Sequence, residues 1–251
     1  MNSATTGIIV FACLCVAVFL GMGLRSLLPE HHLSADTKDA VKLAIGMVVT
    51  MAALVLGLLV ASAKGAYDTD RSEVTQMAAK VAFLDHMLAL YGPDAAEARA
   101  LLRKAVEGAV KRIWPEDHRQ AGELAPNIQA GDAVLNAIQS LSPRDDAQRN
   151  LKSQAMSTAV ELGQIRALLF AQSVSSVSKP LVIILLVWLV FAFLSFGLYA
   201  PANATATAAL VVSALSVSGA LFLILELDQP FRGLVRIPSD SLTQVVQRLG
   251  H

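Results

Sequence analysis

Three observations predict an all-α integral membrane protein with four transmembrane helices in two hairpins and a cytoplasmic helical insert. The chain holds four long uncharged apolar runs. A charged segment divides them into two pairs. Periodicity within that segment is helical. The runs are Gly7–Leu24, Leu43–Ala63, Pro180–Tyr199 and Ala204–Leu225. Each is about 18–22 residues, the length at which a helix crosses a hydrocarbon layer of roughly 30 Å. Lipid offers the backbone no hydrogen bonds, so an uninterrupted apolar run crosses as a helix. The resulting divisions are a first hairpin at 1–63, an insert at 64–179, a second hairpin at 180–227 and a C-terminal tail at 228–251.

The composition is that of a membrane protein. Apolar residues make up 55% of the 251 and charged residues only 16%, against about 25% in soluble domains. Of the 40 charges, 28 lie between Lys64 and Lys179, 14 of each sign. That balance gives no electrostatic case for nucleic acid. Cys13 and Cys15 are the only cysteines. They sit two apart on one helix and do not share a face, so they serve as apolar filler rather than as a disulfide. Met1–Thr6 carries no Lys or Arg, and the run lacks a clean small-x-small cleavage site before Arg25. The first run therefore reads as a retained span rather than a signal peptide.

No proline occurs between Pro29 and Pro93. Asp36 and Asp39 mark a helix start, with acids at the positive end of the dipole. From there one helix is expected through the membrane and past Lys64, with Gly65 a point where it can kink. Beyond Lys64 the apolar positions are Val74, Met77, Val81, Leu84, Leu88 and Tyr91, spaced as in a coiled-coil seam. That seam needs a partner, either a second copy or another helix of this chain. Gly92-Pro93 ends the helix.

A second insert helix is expected over Asp94–Trp114, with Ala98, Leu101, Leu102, Ala105, Ala109, Val110 and Ile113 on one stripe. Pro115 stops it, and Glu116–Ala130 reads as a loop. A short helix follows at Asp132–Leu141. Ser142-Pro143 then reads as a cap and first turn, opening a long helix over Arg144–Ser173.

Lys and Arg near the spans set the orientation. The first loop holds Arg25, Lys38 and Lys42. The other side holds Lys64, Arg71, Lys80, Arg166, Lys179, Arg232, Arg236 and Arg248. The bias places both termini and the insert in the cytoplasm.

The second span carries the candidate site. Gly46, Thr50, Ala53, Gly57 and Ala61 fall on one helical face, and Lys42 and Lys64 continue it at the two mouths. Two readings stand: close helix packing, or a pore lining whose lysines favour anions such as chloride. Glu226 and Asp228 at the end of the fourth span need partners, with Arg232 and Arg236 nearest in sequence. They form either a structural clasp or a gate. His31, His32, Glu30, Asp36 and Asp39 could in principle bind metal, but adjacent histidines rarely chelate one ion, and a structured loop is the expectation. Tyr67–Glu73 alternates acids, yet lacks the glycine and terminal glutamate of a calcium loop. No Walker loop, G-x-S-x-G, HExxH or catalytic carboxylate pair is present in the sequence. Neither an enzyme, a metal site nor a cofactor is expected.

Several stretches resemble the bestrophin-like family of bacterial and plant membrane proteins. They are Leu28-Pro-Glu-His-His-Leu-Ser34, Lys38-Asp, Lys42-Leu and Met51–Lys64, then Tyr67-Asp-Thr, Arg71–Met77, Ile113-Trp-Pro115 and Leu227-Asp-Gln-Pro-Phe-Arg-Gly233. The resemblance implies kinship with bestrophins, oligomeric anion channels with four spans per subunit and a cytoplasmic helical domain between spans two and three. It implies a homo-oligomer in a bacterial inner membrane. Bestrophins line their neck with bulky side chains and carry an acidic calcium clasp; the face here is small and the clasp has no equivalent, so calcium gating is not implied. The expected function is an anion-conducting channel. The alternative is a non-conducting scaffold or sensor whose insert binds partners.

The orientation is directly testable. In a background lacking Cys13 and Cys15, Ser142→Cys is expected to resist an impermeant thiol reagent in intact cells while Asn203→Cys is labelled. Labelling of Ser142→Cys from outside would overturn the orientation.

Overall fold

A computed structural model describes residues 3–25, 27, 35–115, 127–172, 178–201, 203–231 and 233–249, with the side chains of 35–37, 172 and 179 left aside. The described residues are helical, without a strand. The helices are α1 (Ser3–Arg25), α2 (Ala35–Tyr91), α3 (Ala96–Ile113), α4 (Ile128–Gln139), α5 (Asp146–Gln172), α6 (Lys179–Tyr199), α7 (Ala204–Leu227) and α8 (Asp240–Arg248). Four of them, α1, α2, α6 and α7, are long and apolar enough to cross a membrane. The chain is thus an all-α membrane protein. It divides into two compact units, Met1–Ala66 with Ser176–Asp228, and Tyr67–Ser175 with Gln229–His251.

In the first unit α1 packs mainly against α6 and secondarily against α7. Its buried positions are Val10, Leu14, Ala17, Val18 and Gly21. Gly21 and Gly197 sit at the crossing of α1 and α6. A Cβ at Gly21 would lie 2.1 Å from the Leu194 carbonyl oxygen, and one at Gly197 would lie 2.2 Å from that of Val18. The backbones therefore touch, and only glycine permits it. Arg25 fixes the same end by donating from Nη1 to the Ala200 carbonyl at 2.6 Å. The side chain of Asn203 caps α7, accepting from the Ala206 amide at 2.8 Å.

Helix α2 is unbroken through Gly65, so the expected weak point does not interrupt it. Its first turn contains Asp36 rather than being capped by it. Gly92 ends it with φ +111°, a conformation that favours glycine.

In the second unit the seam of α2 is filled. Val74, Met77, Val81, Leu84, Leu88 and Tyr91 are all buried within this one chain. The partner that the spacing calls for is supplied by the insert itself. Asp85 and Arg99 join α2 to α3 by a two-pronged ion pair, Nε to Oδ1 at 2.8 Å and Nη2 to Oδ2 at 3.0 Å.

Some boundaries differ from the sequence reading. After a 3₁₀ turn at Pro93–Ala95, α3 starts at Ala96. Helix α4 starts at Ile128, four residues early, because Asn127 accepts from the Ala130 amide at 3.1 Å. Lys152 Nζ meets the carbonyls at and just past its end, 2.6 Å from Gln139 O and 2.7 Å from Leu141 O. Ser142-Pro143 does not open α5. Asp145 does, accepting from the Gln148 amide at 2.7 Å, while Gln148 Oε1 accepts from the Arg144 amide at 2.8 Å. The C-terminal helix α8 went unread in the sequence; its Leu242 is buried, and Arg103 of α3 donates to the Leu249 carbonyl at its end at 3.4 Å.

The glycine crossing makes a sharp prediction. Gly21→Val or Gly197→Val is expected to lower the stability of the purified protein by about 3 kcal/mol or more, through forced separation of two backbones. Gly219→Ala on α7, where an added Cβ meets open space, is expected to be neutral or to stabilise by up to about 1 kcal/mol. Thermal unfolding midpoints of the three variants check this.

Candidate functional site

The candidate face of α2 lies within the first unit. Gly46, Thr50, Ala53, Gly57 and Ala61 are all exposed, as are Lys42 and Lys64 at its ends. A Cβ at Gly46 or Gly57 would meet nothing within 4 Å. The small residues are therefore not used for helix packing within this chain. The Thr50 hydroxyl donates to the Gly46 carbonyl at 2.8 Å, satisfied by its own helix. Lys42 lies 3.5 Å from Asp39, one turn earlier, and both are largely exposed. The opposite side of the helix buries Ala52, Leu59 and Ala63.

Lys42 and Gly46 also border a groove of 580 Å³ in this unit. Its other walls include Val49, Phe196, Tyr199 and Leu210. The start of the small face thus opens onto a hollow bounded by α2, α6 and α7.

Glu226 lies in the last turn of α7 and is 1% exposed; Asp228 is the residue at which the helix ends. The proposed partner Arg232 lies outside the described residues, as do His31, His32 and Glu30.

The second unit draws together segments far apart in sequence. Trp114 donates from Nε1 to the Ile237 carbonyl at 2.8 Å. Its ring meets Phe231 edge-on, with centroids 5.8 Å apart. Tyr67 donates its hydroxyl to the Arg236 carbonyl at 3.4 Å. Three of the stretches that carry the family resemblance, around Tyr67, Trp114 and Phe231, therefore meet on one segment near the C-terminus.

One turn beyond Tyr67, Asp70 is 9% exposed. It lies outside the apolar span Leu43–Ala63. Burial, and then the neighbouring Glu73, push its carboxyl up to about 6. Glu73 Oε2 is itself buried with no hydrogen-bond partner among the described residues. Lys80 and Glu161 pair across α2 and α5 at 2.5 Å, and that hydrogen bond lowers the Glu161 carboxyl below its ordinary range.

The sequence reading missed Gly21, Gly197, Asp85 and Arg99. Each left a trace. Ala17-x-x-x-Gly21 is a small-x-x-x-small pair in an apolar run. Asp85 sits beside the seam positions Leu84 and Leu88, where a carboxylate requires a partner.

Taken together, these helices define a multi-span helical membrane protein with a second helical unit. The Bestrophin-like domain model matches residues 12–242. The chain belongs to the bestrophin-like family. That membership points, at the coarse level, to a membrane ion channel. Comparison with curated proteins and with solved structures yields no match.

Asp70 gives a pH prediction with a definite sign. The folded carboxyl holds its proton to about pH 6, whereas the ordinary value is 3.8. Between these values the folded state binds more protons than the unfolded one. Its contribution to stability therefore falls as pH rises from about 4 to 6 and is level above that. Asp70→Asn is expected to stabilise by up to about 3 kcal/mol at pH 7 and by little at pH 4. Unfolding midpoints of wild type and variant across that range check it; a constant difference would exclude the buried-charge explanation.

Proposed function

We propose that the chain is one subunit of a homo-oligomeric channel that conducts anions, chloride among them, along the small face of α2. The reading places it in a bacterial inner membrane with both termini and the insert in the cytoplasm, following the Lys/Arg bias. It assigns no enzymatic chemistry.

The observation that carries this reading is the exposure of that face along its whole length. Glycine in a helix costs about 1 kcal/mol relative to alanine. Lipid chains return nothing for that cost. Small residues do repay it where another backbone approaches or where a path needs room. Within this chain the close approaches use Gly21 and Gly197 instead. The stripe on α2 is thus left for a neighbouring subunit or an axial path. Lys42 and Lys64 add positive charge at both mouths, which favours anions. The seam Val74–Tyr91 lends no support to self-association, because it is filled internally.

Three measurements test the proposal. The purified detergent complex is expected to have the mass of several subunits; a strict monomer at micromolar concentration would end the axial-path reading. Liposomes holding the wild type are expected to pass chloride, and Gly57→Trp to abolish the flux. Lys64→Glu is expected to preserve the oligomer and lower chloride relative to sodium permeability about fivefold. Conduction with unchanged selectivity would put the path elsewhere. Liposomes that pass no ions under any voltage, pH or calcium condition would favour the scaffold or sensor alternative.

A further inference from the structure

The second unit contains a cavity of 340 Å³, open to solvent on one side, lined by residues of α2, α3, α4, α5 and α8. Its walls are almost wholly apolar, with Val81, Leu84, Leu102, Val106, Leu135 and Leu162 prominent. Its size falls within the roughly 300–1,000 Å³ of small-molecule sites. Its apolar lining is left to water, and covering that surface with an apolar chain is favourable.

One end of the cavity is cationic. Arg166 of α5 lines it, with Nη1 3.6 Å from where a Cβ on Gly131 would stand. Gly131 lies in the first turn of α4, so the guanidinium sits at the positive end of that helix's dipole. Arg112 of α3 is close enough to act on Arg166 electrostatically. Among the described residues neither arginine has a carboxylate or other hydrogen-bond partner. Asp132, also on the lining, is exposed and pairs with neither. Burial, and then the neighbouring Arg112, lower the affinity of the Arg166 guanidinium for its proton. Arg166 is half-buried, and a guanidinium held next to like charge offers a place for an anion.

We propose that this cavity binds a medium-chain fatty carboxylate, its alkyl chain among the leucines and valines and its carboxylate on Arg166. A guanidinium fork accepts a carboxylate in two-pronged geometry, and the apolar lining matches a chain with no further polar group. The proposal concerns the insert alone and stands whether or not the spans conduct.

The test uses the full-length protein in lipid nanodiscs, free of detergent, with a dodecanoate analogue carrying a photoreactive diazirine. Mass spectrometry of the digested protein is expected to place the label on α4 and α5 peptides. Free dodecanoate is expected to compete. Methyl dodecanoate and dodecyltrimethylammonium, which lack the anion, are expected to compete at least tenfold less well. Shorter carboxylates should compete about fourfold more weakly per methylene removed. Arg166→Gln is expected to reduce labelling about tenfold. Gly163→Leu, filling the cavity from a position where an added Cβ meets open space, is expected to do the same, and it decides the matter should Arg166→Gln fail to fold. Label confined to the spans, equal competition by the ester or the cation, or full labelling of both variants would overturn the proposal. So would labelling that occurs only after an oligomer is dissociated, since the cavity would then be occupied by a second copy.

Discussion

Inside hydrocarbon an amide and a carbonyl have no partner except their own helix. That constraint shapes the first unit completely. It makes α1, α6, α7 and the membrane part of α2 into helices whatever their side chains. It also removes the hydrophobic effect as a force between them, because lipid is as apolar as leucine. What remains is contact. The crossing at Gly21 and Gly197 supplies it by bringing backbone against backbone. A polar tie is added at a helix end, where Arg25 donates to the Ala200 carbonyl. Carbonyls at such an end lack intrahelical partners.

The second unit is built on the opposite principle. Its charged segments surround a buried apolar core, and apolar burial drives such assembly. The seam of α2 forms the spine of its core, and helices of the insert cover it. Charges then fix the pairing. The Asp85–Arg99 fork holds α2 to α3, and Lys80–Glu161 holds α2 to α5. The C-terminal segment is bound in by Trp114, Phe231 and Tyr67. Those aromatic residues belong to the stretches that carry the family resemblance, and their packing gives that resemblance a structural meaning.

The two glycine sets of the first unit divide the work. Gly21 and Gly197 are buried against backbone, whereas Gly46 and Gly57 face open space. The same residue type thus marks an internal contact in one place and an unfilled face in another. The asymmetry favours a role for α2 outward from the chain, toward a neighbour or an axis. It also explains why the stripe, read from the sequence, admits both packing and pore lining. A glycine stripe says that something comes close without saying what.

The sequence by itself determined the four spans, the long continuation of α2 and the class of the fold. Those features follow from local chemistry: run length, absence of charge and the period of the apolar positions. Helix starts depended on single side chains, so Asn127 and Asp145 moved two boundaries that Asp132 and Ser142-Pro143 had suggested. The short helix α8 stayed hidden because nine residues carry too little periodicity to stand out. Tertiary structure alone decided which surfaces are used. It filled the seam from within the chain, left the small face of α2 bare, joined Asp85 to Arg99 across fourteen residues, and set Arg166 at the end of an apolar cavity. These outcomes depend on how helices far apart in sequence come to lie side by side. A periodicity records that a face is apolar or small, but the neighbour that meets it is set by the packing of the whole unit.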